Sequence, residues 1–484
     1  MALLLAWLLV APRTPDLAAA AYRVDLFKHI GLGLYDEHWY AGHDLPGYSV
    51  LFPPLAWALG LRAVGALSVL VSVLCFERIV ARAFGGIGAR WASIAFAAAA
   101  VGDVWIGRLA FALGVSFALA AVLALMRRRI AIAVALALLC AAASPVAGAL
   151  LGLAALTDSL WRRSPRALLA VAVPAGVVVL ALAALFPEGG FEPYPATSFV
   201  ATVVVLVVFA WAVPARYGEV RLGAAIYVLA CVVFVLVRSP MGSNVERYGV
   251  LLAGPLLIAM IGASRGGAGA VSEVAAASSP DELRSPDASR VRRGTRPPGG
   301  ALAGIAALVL WAAWAGWGPI RETLAVAGNE STSSAYYAPV ERFLDLHART
   351  PVRLEVPLTR SHWETAELAP RVSLARGWEK QLDERYDGVL LARGLTAASY
   401  HRWLRREAVS YVALPDAALD PSSAQEGRLI ENGLPYLREV RRTRHWRIYA
   451  VRDATPLAQG PGTLSAVGHD WFALRARAAG RFVV

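Results

Sequence analysis

What most constrains this chain is its alternation of long apolar runs with arginine clusters. Runs near 62–77, 91–105, 109–126, 130–143, 146–161, 167–186, 198–213, 222–237, 248–263 and 301–318 keep their few charges close to their ends. Such a stretch can satisfy its backbone in lipid only by bonding to itself, which means a helix. Ahead of them, Ala2 to Ala11 is an apolar run of ten residues, which at about 1.5 Å per residue reaches roughly half the hydrocarbon core. It has no basic segment before it, as a signal peptide would. It therefore reads as part of a first span whose true start lies upstream. The sequence predicts a polytopic α-helical membrane protein of about eleven spans.

Composition agrees and removes one alternative. Hydrophobic residues make up 57% of the 484 positions and charged residues 17%, and mean hydropathy is +0.52, too apolar for a soluble chain. A net charge of +12 would suggest nucleic acid as partner for a soluble domain. Here the arginines stand between spans, where they set orientation, so no nucleic-acid partner is expected. Only Lys28 and Lys380 are lysines, and the excess of arginine and alanine points to a high-GC genome. Cys75, Cys140 and Cys231 all lie in apolar segments and suggest neither a disulfide framework nor a thiolate metal site.

Arginine placement gives an expected topology. Arg78/Arg82/Arg90, Arg127-Arg128-Arg129, Arg162/Arg163/Arg166, Arg216/Arg221 and the linker Ser264 to Gly300 fall on one side. The connections around Asp103, Ser144-Pro145, Pro187 to Pro195 and Pro240 to Glu246 fall on the other and are poorer in Arg and Lys, as the positive-inside rule requires of external loops. The transmembrane part then occupies 1–263, with a first external loop at 12–55 and a last span at 301–318. The Gly-, Ser- and Pro-rich 264–300 segment reads as a disordered cytoplasmic linker. From Asn329 to Val484 the chain is polar, with strand-like runs at Val352–Pro357, Val409–Leu414 and Trp446–Val451 and helical stretches at Tyr337–Ala348 and Thr396–Glu407. An extracytoplasmic α/β domain is expected there, large enough to bury its own core.

The first loop concentrates the chemistry. Thr14-Pro15-Asp16 reads as a helix start, with Thr14 as N-cap, Pro15 at the first helical position and an acid in the first turn, in a helix running to about Ile30. At 100° per residue Asp16 shares a face with Arg23, while Asp25 lies opposite. A carboxylate at a helix start is favoured in its charged form, ready to accept a proton or hold a cation, although such acids are also common simply as helix-start charges. Asp16 is thus either a reacting group or a terminal helix acid. Arginine suits a lipid-linked phosphate because its fork offers two parallel hydrogen bonds. Arg23, Arg108 and Arg247 fall on the predicted outer side, and Arg247, with Asn244, stands directly before a span. Each could instead be an interfacial arginine whose head reaches water. Asp103, beside Trp105 and Arg108 between two apolar segments, needs a partner or exposure, and an Asp103–Arg108 ion pair is the bland reading. In the polar domain, Trp363, Glu364 and Trp378 combine indole and acid as sugar-binding surfaces do, or else are core. YDEHW at Tyr35 to Trp39 reads as a polar turn, and His29, His38 and His43 show no regular zinc spacing. There is no GxxxxGK[ST], strand-linked GxGxxG or GxSxG motif.

The order of these features resembles the first external loop of the GT-C superfamily of polyprenyl-phosphate-sugar-dependent membrane glycosyltransferases, which includes lipid A aminoarabinose transferases, protein O-mannosyltransferases and actinobacterial mannosyl- and arabinosyltransferases. It comprises an apolar span, Asp16, a helix with Tyr22 and Arg23, then Gly31 and Gly33, Trp39-Tyr40-Ala41-Gly42, Pro46, and Pro53-Pro54-Leu55 before the next span. The resemblance implies a many-span plan with an external C-terminal domain and transfer of a sugar from a polyprenyl-phosphate donor to an envelope glycan, lipid or protein. It places the catalytic base at Asp16 and a second acid, serving metal or phosphate, at Asp103. A divalent cation, Mg or Mn, is a cofactor of some such enzymes. Leu17 follows Asp16 where most members carry a second acid, which leaves metal dependence open. The rival expectation is a non-catalytic membrane protein: a transporter, an envelope-assembly factor, or a GT-C scaffold that has lost catalysis.

Overall fold

The computed structural model describes residues 1–188, 190–277 and 299–483. It opens with α1 (Ala2–Val10) and α2 (Pro15–Ile30), whose axes are bent by 71°. α1 is nine residues long and does not cross a bilayer alone. A loop holding the short antiparallel ribbon β1 (Tyr35–Asp36) and β2 (His43–Asp44) leads to α3 (Phe52–Leu59). The helical bundle follows: α4 (Leu61–Ala83), α5 (Gly86–Ile106), α6 (Leu109–Met126), α7 (Ile130–Ala143), α8 (Pro145–Arg162), α9 (Val173–Leu185), α10 (Ala196–Ala212), α11 (Gly218–Leu236), α12 (Glu246–Ala277) and α13 (Gly299–Val326).

Helices occupy each of the apolar runs from 62–77 onward, but by length and composition seven are able to cross a membrane, or eight if the bent α1–α2 pair is one span. That is fewer than the eleven expected: α1, α7 and α10 are short, with 9, 14 and 17 residues, while α8 has 18 but ends in a polar turn with Asp158 and Arg162. The chain is nonetheless a multi-pass membrane protein. The expected linker is described only in part. α12 continues through Ala277, so the start of the segment expected to be disordered is helical, and residues 278–298 lie outside the described residues.

The C-terminal part is built on a five-stranded sheet. β3 (Arg353–Glu355), β4 (Ser373–Leu374), β5 (Val409–Pro415), β6 (Leu437–Arg442) and β7 (Trp446–Val451) lie in the order β4-β3-β5-β7-β6. β3 runs parallel to both β4 and β5, whereas β7 is antiparallel to β5 and β6, with Val412 opposite Tyr449. α14 (Ser334–His347), α15 (Glu364–Glu367), α16 (Lys380–Leu391), α17 (Ala397–Arg406) and α18 (Ala424–Glu431) pack around it, and the hairpin β8 (Gly462–Val467) and β9 (Phe472–Ala476) ends the fold. The local sequence explains these elements. Thr396 and Ser399 cap α17 reciprocally, and Tyr400, Trp403 and Leu404 give it one buried stripe at helical spacing. β5 buries Val409, Val412, Ala413 and Leu414, the near-continuous apolar run of a strand covered on both faces.

Small residues set the bundle's closest crossing. A Cβ on Gly88 of α5 would stand 2.7 Å from Gly262 Cα, and one on Gly262 of α12 would stand 2.3 Å from Gly88 Cα. The two backbones touch, as small residues allow in lipid. Gly262→Val must therefore push α5 and α12 apart, at a cost of about 1–3 kcal/mol. Thermal unfolding in detergent should show a lowered midpoint for Gly262→Val and none for Gly152→Val, where a Cβ meets nothing within 4 Å. Equal midpoints would show that the crossing is not tight.

Candidate active site between the span ends and the sheet domain

The site begins at the start of α2. Thr14 and Pro15 take the expected N-cap and first helical positions, but the Thr14 hydroxyl does not cap the helix; it donates to the Trp105 carbonyl at 3.2 Å. α2 is thereby tied to the end of α5. The turn after α5 presses on it, since Gly107 has φ +104 and a Cβ there would fall 2.4 Å from the Leu17 nitrogen and 3.0 Å from the Asp16 carbonyl carbon. Only glycine permits both the backbone conformation and the approach.

This packing brings Asp16, Asp103 and Arg108 together. Arg108 Nε lies 3.4 Å from Asp16 Oδ2, and its Nη1 lies 3.5 Å from Asp103 Oδ1. The Asp103 side chain is 6% exposed, whereas those of Arg108 and Asp16 are 29% and 35% exposed. Asp103 thus holds the arginine from within the bundle while Asp16 meets it at the surface. The ion pair read from sequence exists but is shared between the two carboxylates. Arg247, at the start of α12, lies within electrostatic reach of Arg108, Asp103 and Asp16. It donates to Asn244 Oδ1, its guanidinium stands 5.0 Å from the Phe111 ring, and its Nε is buried without a partner. Among the described residues it makes no ion pair. A half-buried guanidinium supplied with one amide oxygen and no ion-pair partner suits an anion.

Further groups complete the surround, and sequence reading missed them. Glu192, from the loop after α9, is buried and accepts the Ser243 hydroxyl at 2.9 Å, with Lys380 Nζ 3.9 Å away. Burial pushes its carboxyl above the usual range, with Lys380 and Ser243 drawing it back. Tyr48 is within electrostatic reach of Arg23, Asp16 and Arg247. Glu192 and Lys380 are 188 positions apart, and no local spacing announces their meeting.

Other expectations need correction. Arg23 is not open to a phosphate: it is 5% exposed, ion-paired with Glu379 of the sheet domain and stacked 3.9 Å from the Tyr48 ring. Glu364 is wholly buried with both carboxylate oxygens bonded to Thr359, so no sugar reaches it. Trp363, 6% exposed, donates its indole N–H to the Arg13 carbonyl at 3.0 Å, and Trp378 donates to the Pro15 carbonyl at 3.0 Å. These indoles join the domain to α2 because a buried ring N–H requires an acceptor and the chain entering α2 supplies two. YDEHW does form a turn, but its first acid faces inward. Asp36 is fully buried, accepting from Tyr22 Oη at 2.7 Å and the His38 amide at 3.1 Å, with His469 Nδ1 3.0 Å away. Burial opposes its charge, yet the His469 contact, His43 and Tyr22 together hold its carboxyl below the ordinary value. Among the described residues no three His, Cys, Asp or Glu groups are arranged to hold a metal ion. The donor set around Asp16 does not fit one, since Arg108 occupies the place between the two carboxylates that a shared divalent cation would take.

No protein-family model matches the chain, and no curated protein matches it. Among solved structures, it is similar to the crystal structure of ArnT from Cupriavidus metallidurans in the apo state, at 16% identity and a TM-score of 0.46, over 90% of this chain and 93% of that one. At that score the likeness is too distant to assign a fold or an activity.

The seam also predicts a pH dependence. Tyr40 Oη donates to Asp383 Oδ1 at 2.8 Å, and burial raises the Asp383 carboxyl to about 6 despite Arg376 and Tyr40. A carboxyl raised above its unfolded value of about 3.9 contributes stability that is complete below that pH and is lost as pH rises through about 6. Asp383→Asn keeps an acceptor for Tyr40 and removes the titration. Its stability should match wild type near pH 4 and exceed it near pH 7 by up to about 3 kcal/mol. Thermal unfolding across that range tests this, and parallel curves for the two proteins would refute it.

Proposed function

We propose that the chain is an integral membrane glycosyltransferase that moves a sugar from a polyprenyl-phosphate donor to an envelope glycan, lipid or protein on the outer face of a bacterial cytoplasmic membrane. The observation that carries this reading is the meeting of Asp16, Arg108 and Arg247 at the ends of three spans. A donor whose tail lies in the bilayer presents its phosphate at that depth. Arg247, with its partnerless Nε, and the exposed side of Arg108 hold the phosphate oxygens. Asp16 accepts the proton of the acceptor hydroxyl as that oxygen bonds to the sugar's anomeric carbon. The bond from that carbon to the phosphate oxygen breaks, and the polyprenyl phosphate leaves with its electron pair. Attack opposite the leaving group inverts the anomeric centre. Asp103, beneath Arg108, fixes the guanidinium and does not touch substrate. The resemblance of the first loop to GT-C enzymes supports the same assignment of Asp16.

Orientation is tested with cysteine-directed, membrane-impermeant reagents on intact cells, in a background where Cys75, Cys140 and Cys231 are replaced. Ser465→Cys, on exposed β8, should label and Arg127→Cys should not. The reverse pattern would put the site on the wrong face for this reaction.

Asp16→Asn is the test of chemistry. Asparagine keeps the size and hydrogen-bonding of the residue in the first turn, so abundance should hold. Loss of a general base costs about 10²–10⁴-fold in rate, against about 0.3–1 kcal/mol for a lost helix-end charge. The glycan or lipid altered in a deletion strain is measured after complementation at matched membrane abundance. Asp16→Asn should fail where Asp25→Asn succeeds. Full complementation by Asp16→Asn would favour the non-catalytic membrane protein.

A further inference from the structure

The segment that carries Asp16 is gripped from two sides. From the bundle come Gly107, in backbone contact with Asp16 and Leu17, and the Thr14 hydroxyl bond to Trp105. From the sheet domain come two indoles, Trp363 on the Arg13 carbonyl and Trp378 on the Pro15 carbonyl, each at 3.0 Å. The two bonds fall either side of Thr14, on the carbonyls nearest the helix start. Both rings are themselves held. Arg13 lies 3.5 Å over the Trp363 ring and is ion-paired to Glu367. The Trp378 ring stacks on buried His362 with centroids 3.4 Å apart and planes within 8°. His362 adopts φ +55, a left-handed conformation costly for a residue with a Cβ, and its Nε2 faces Asp420 at 3.5 Å.

The residues beside Trp378 extend the grip. Glu379 pairs with Arg23 two turns along α2, and Lys380 reaches Glu192. Gly377 allows the close course of this strap, because a Cβ there would stand 2.6 Å from Tyr40 and 2.9 Å from Trp39. Trp378, Glu379 and Lys380 thus tie the start of α2, its middle and the loop after α9 to one rigid piece of the sheet domain.

We propose that Trp378, seconded by Trp363, is a positioning residue that sets the Asp16 carboxylate against Arg108 through the Pro15 and Arg13 carbonyls. The proposal rests on Asp16 being the reacting group. Asp16 is directly attached to Pro15, so a shift of that carbonyl moves the carboxylate with it. The indole N–H, from the sheet domain, and the Gly107 backbone contact, from the bundle, both bear on this turn, and loss of the indole bond frees it on that side. A displacement of about 1 Å is enough to cost on the order of 100-fold in rate. The phosphate-holding arginines stand on other elements and keep their places.

The experiment compares full-length wild type, Trp378→Phe, Trp363→Phe and Asp16→Asn in lipid bilayers. Phenylalanine preserves a ring against His362 and removes the N–H. Hydrogen exchange of the amides at 16–18, binding of a polyprenyl monophosphate probe, and complementation at matched abundance are measured. Trp378→Phe should exchange faster at those amides and fall roughly 10–100-fold in transfer, with probe affinity within about threefold of wild type. Trp363→Phe should shift in the same direction. Unchanged exchange and transfer in both tryptophan variants would overturn the positioning role while Asp16→Asn remained inactive. Loss of probe binding and transfer together would also overturn it, since that is what general loosening of the domain produces. An active Asp16→Asn would instead remove the reading on which the proposal stands.

Discussion

A guanidinium at the end of a membrane span is tolerated when its charge is met, and Arg108 is met twice, by Asp103 from inside the bundle and by Asp16 from the surface. Most of the site follows from that constraint. Asp103 is nearly buried and would be costly alone, so the pair fixes the turn between α5 and α6. The turn in turn requires Gly107, and Gly107 sets how closely α2 approaches. Asp16 arrives last, carried by a helix whose start is bonded to Trp105. Removing the charge on Arg108 would leave two acids facing each other, so the arginine is structural toward Asp103 and available toward Asp16.

The second constraint is that α2 belongs to two folding units. Its Tyr22 ring stacks on buried Trp39 at 4.4 Å, its Arg23 pairs with Glu379, and its first residues take hydrogen bonds from Trp363 and Trp378. The apolar core runs without a break from the bundle through Tyr22, Trp39 and Tyr40 to Val356 and Leu374 of the sheet domain. Burial of large aromatic rings on both sides provides the driving force, and the polar bonds specify register. A sheet domain so joined is part of the site's wall.

The sequence made the local features legible. Thr14-Pro15-Asp16 marked the start of α2 to the residue because a proline at the first helical position and an acid in the first turn are written in adjacent positions, and the strands at 353–355, 409–415 and 446–451 lay inside or beside the expected runs. The Asp103–Arg108 pairing was also visible, being five residues apart. What spacing could not show is the seam, whose partners lie more than 300 positions apart, as in Arg23–Glu379 and Trp378–Pro15. Tryptophan beside acid reads alike for a sugar platform and for a buried clamp, and only the acceptors of the indole N–H groups separate the two. The span count was less legible for a different reason: short helices such as α7 and α10, and one with a charged end such as α8, are apolar runs that fall below what a single crossing asks.

The same device of one arginine among several acids recurs in the sheet domain, and the comparison separates site from scaffold. Arg376 lies 3.3 Å from Glu426 and 3.8 Å from Asp387, with Glu355 beside them, all fully buried or nearly so. Burial, with one cation for three acids, drives Glu355 and Asp387 well above the ordinary carboxylate range, and the Glu426 charge adds to the shift on Glu355. No substrate reaches those buried carboxyls. Around Arg108 and Arg247 two cations face two acids, and one of the acids, Asp16, has a third of its side chain open to solvent. An acid sealed into a core is out of a substrate's reach, whereas one at the surface is within it. Exposure, more than charge pattern, is what separates Asp16 from the buried acids of the sheet domain and what its proposed role requires.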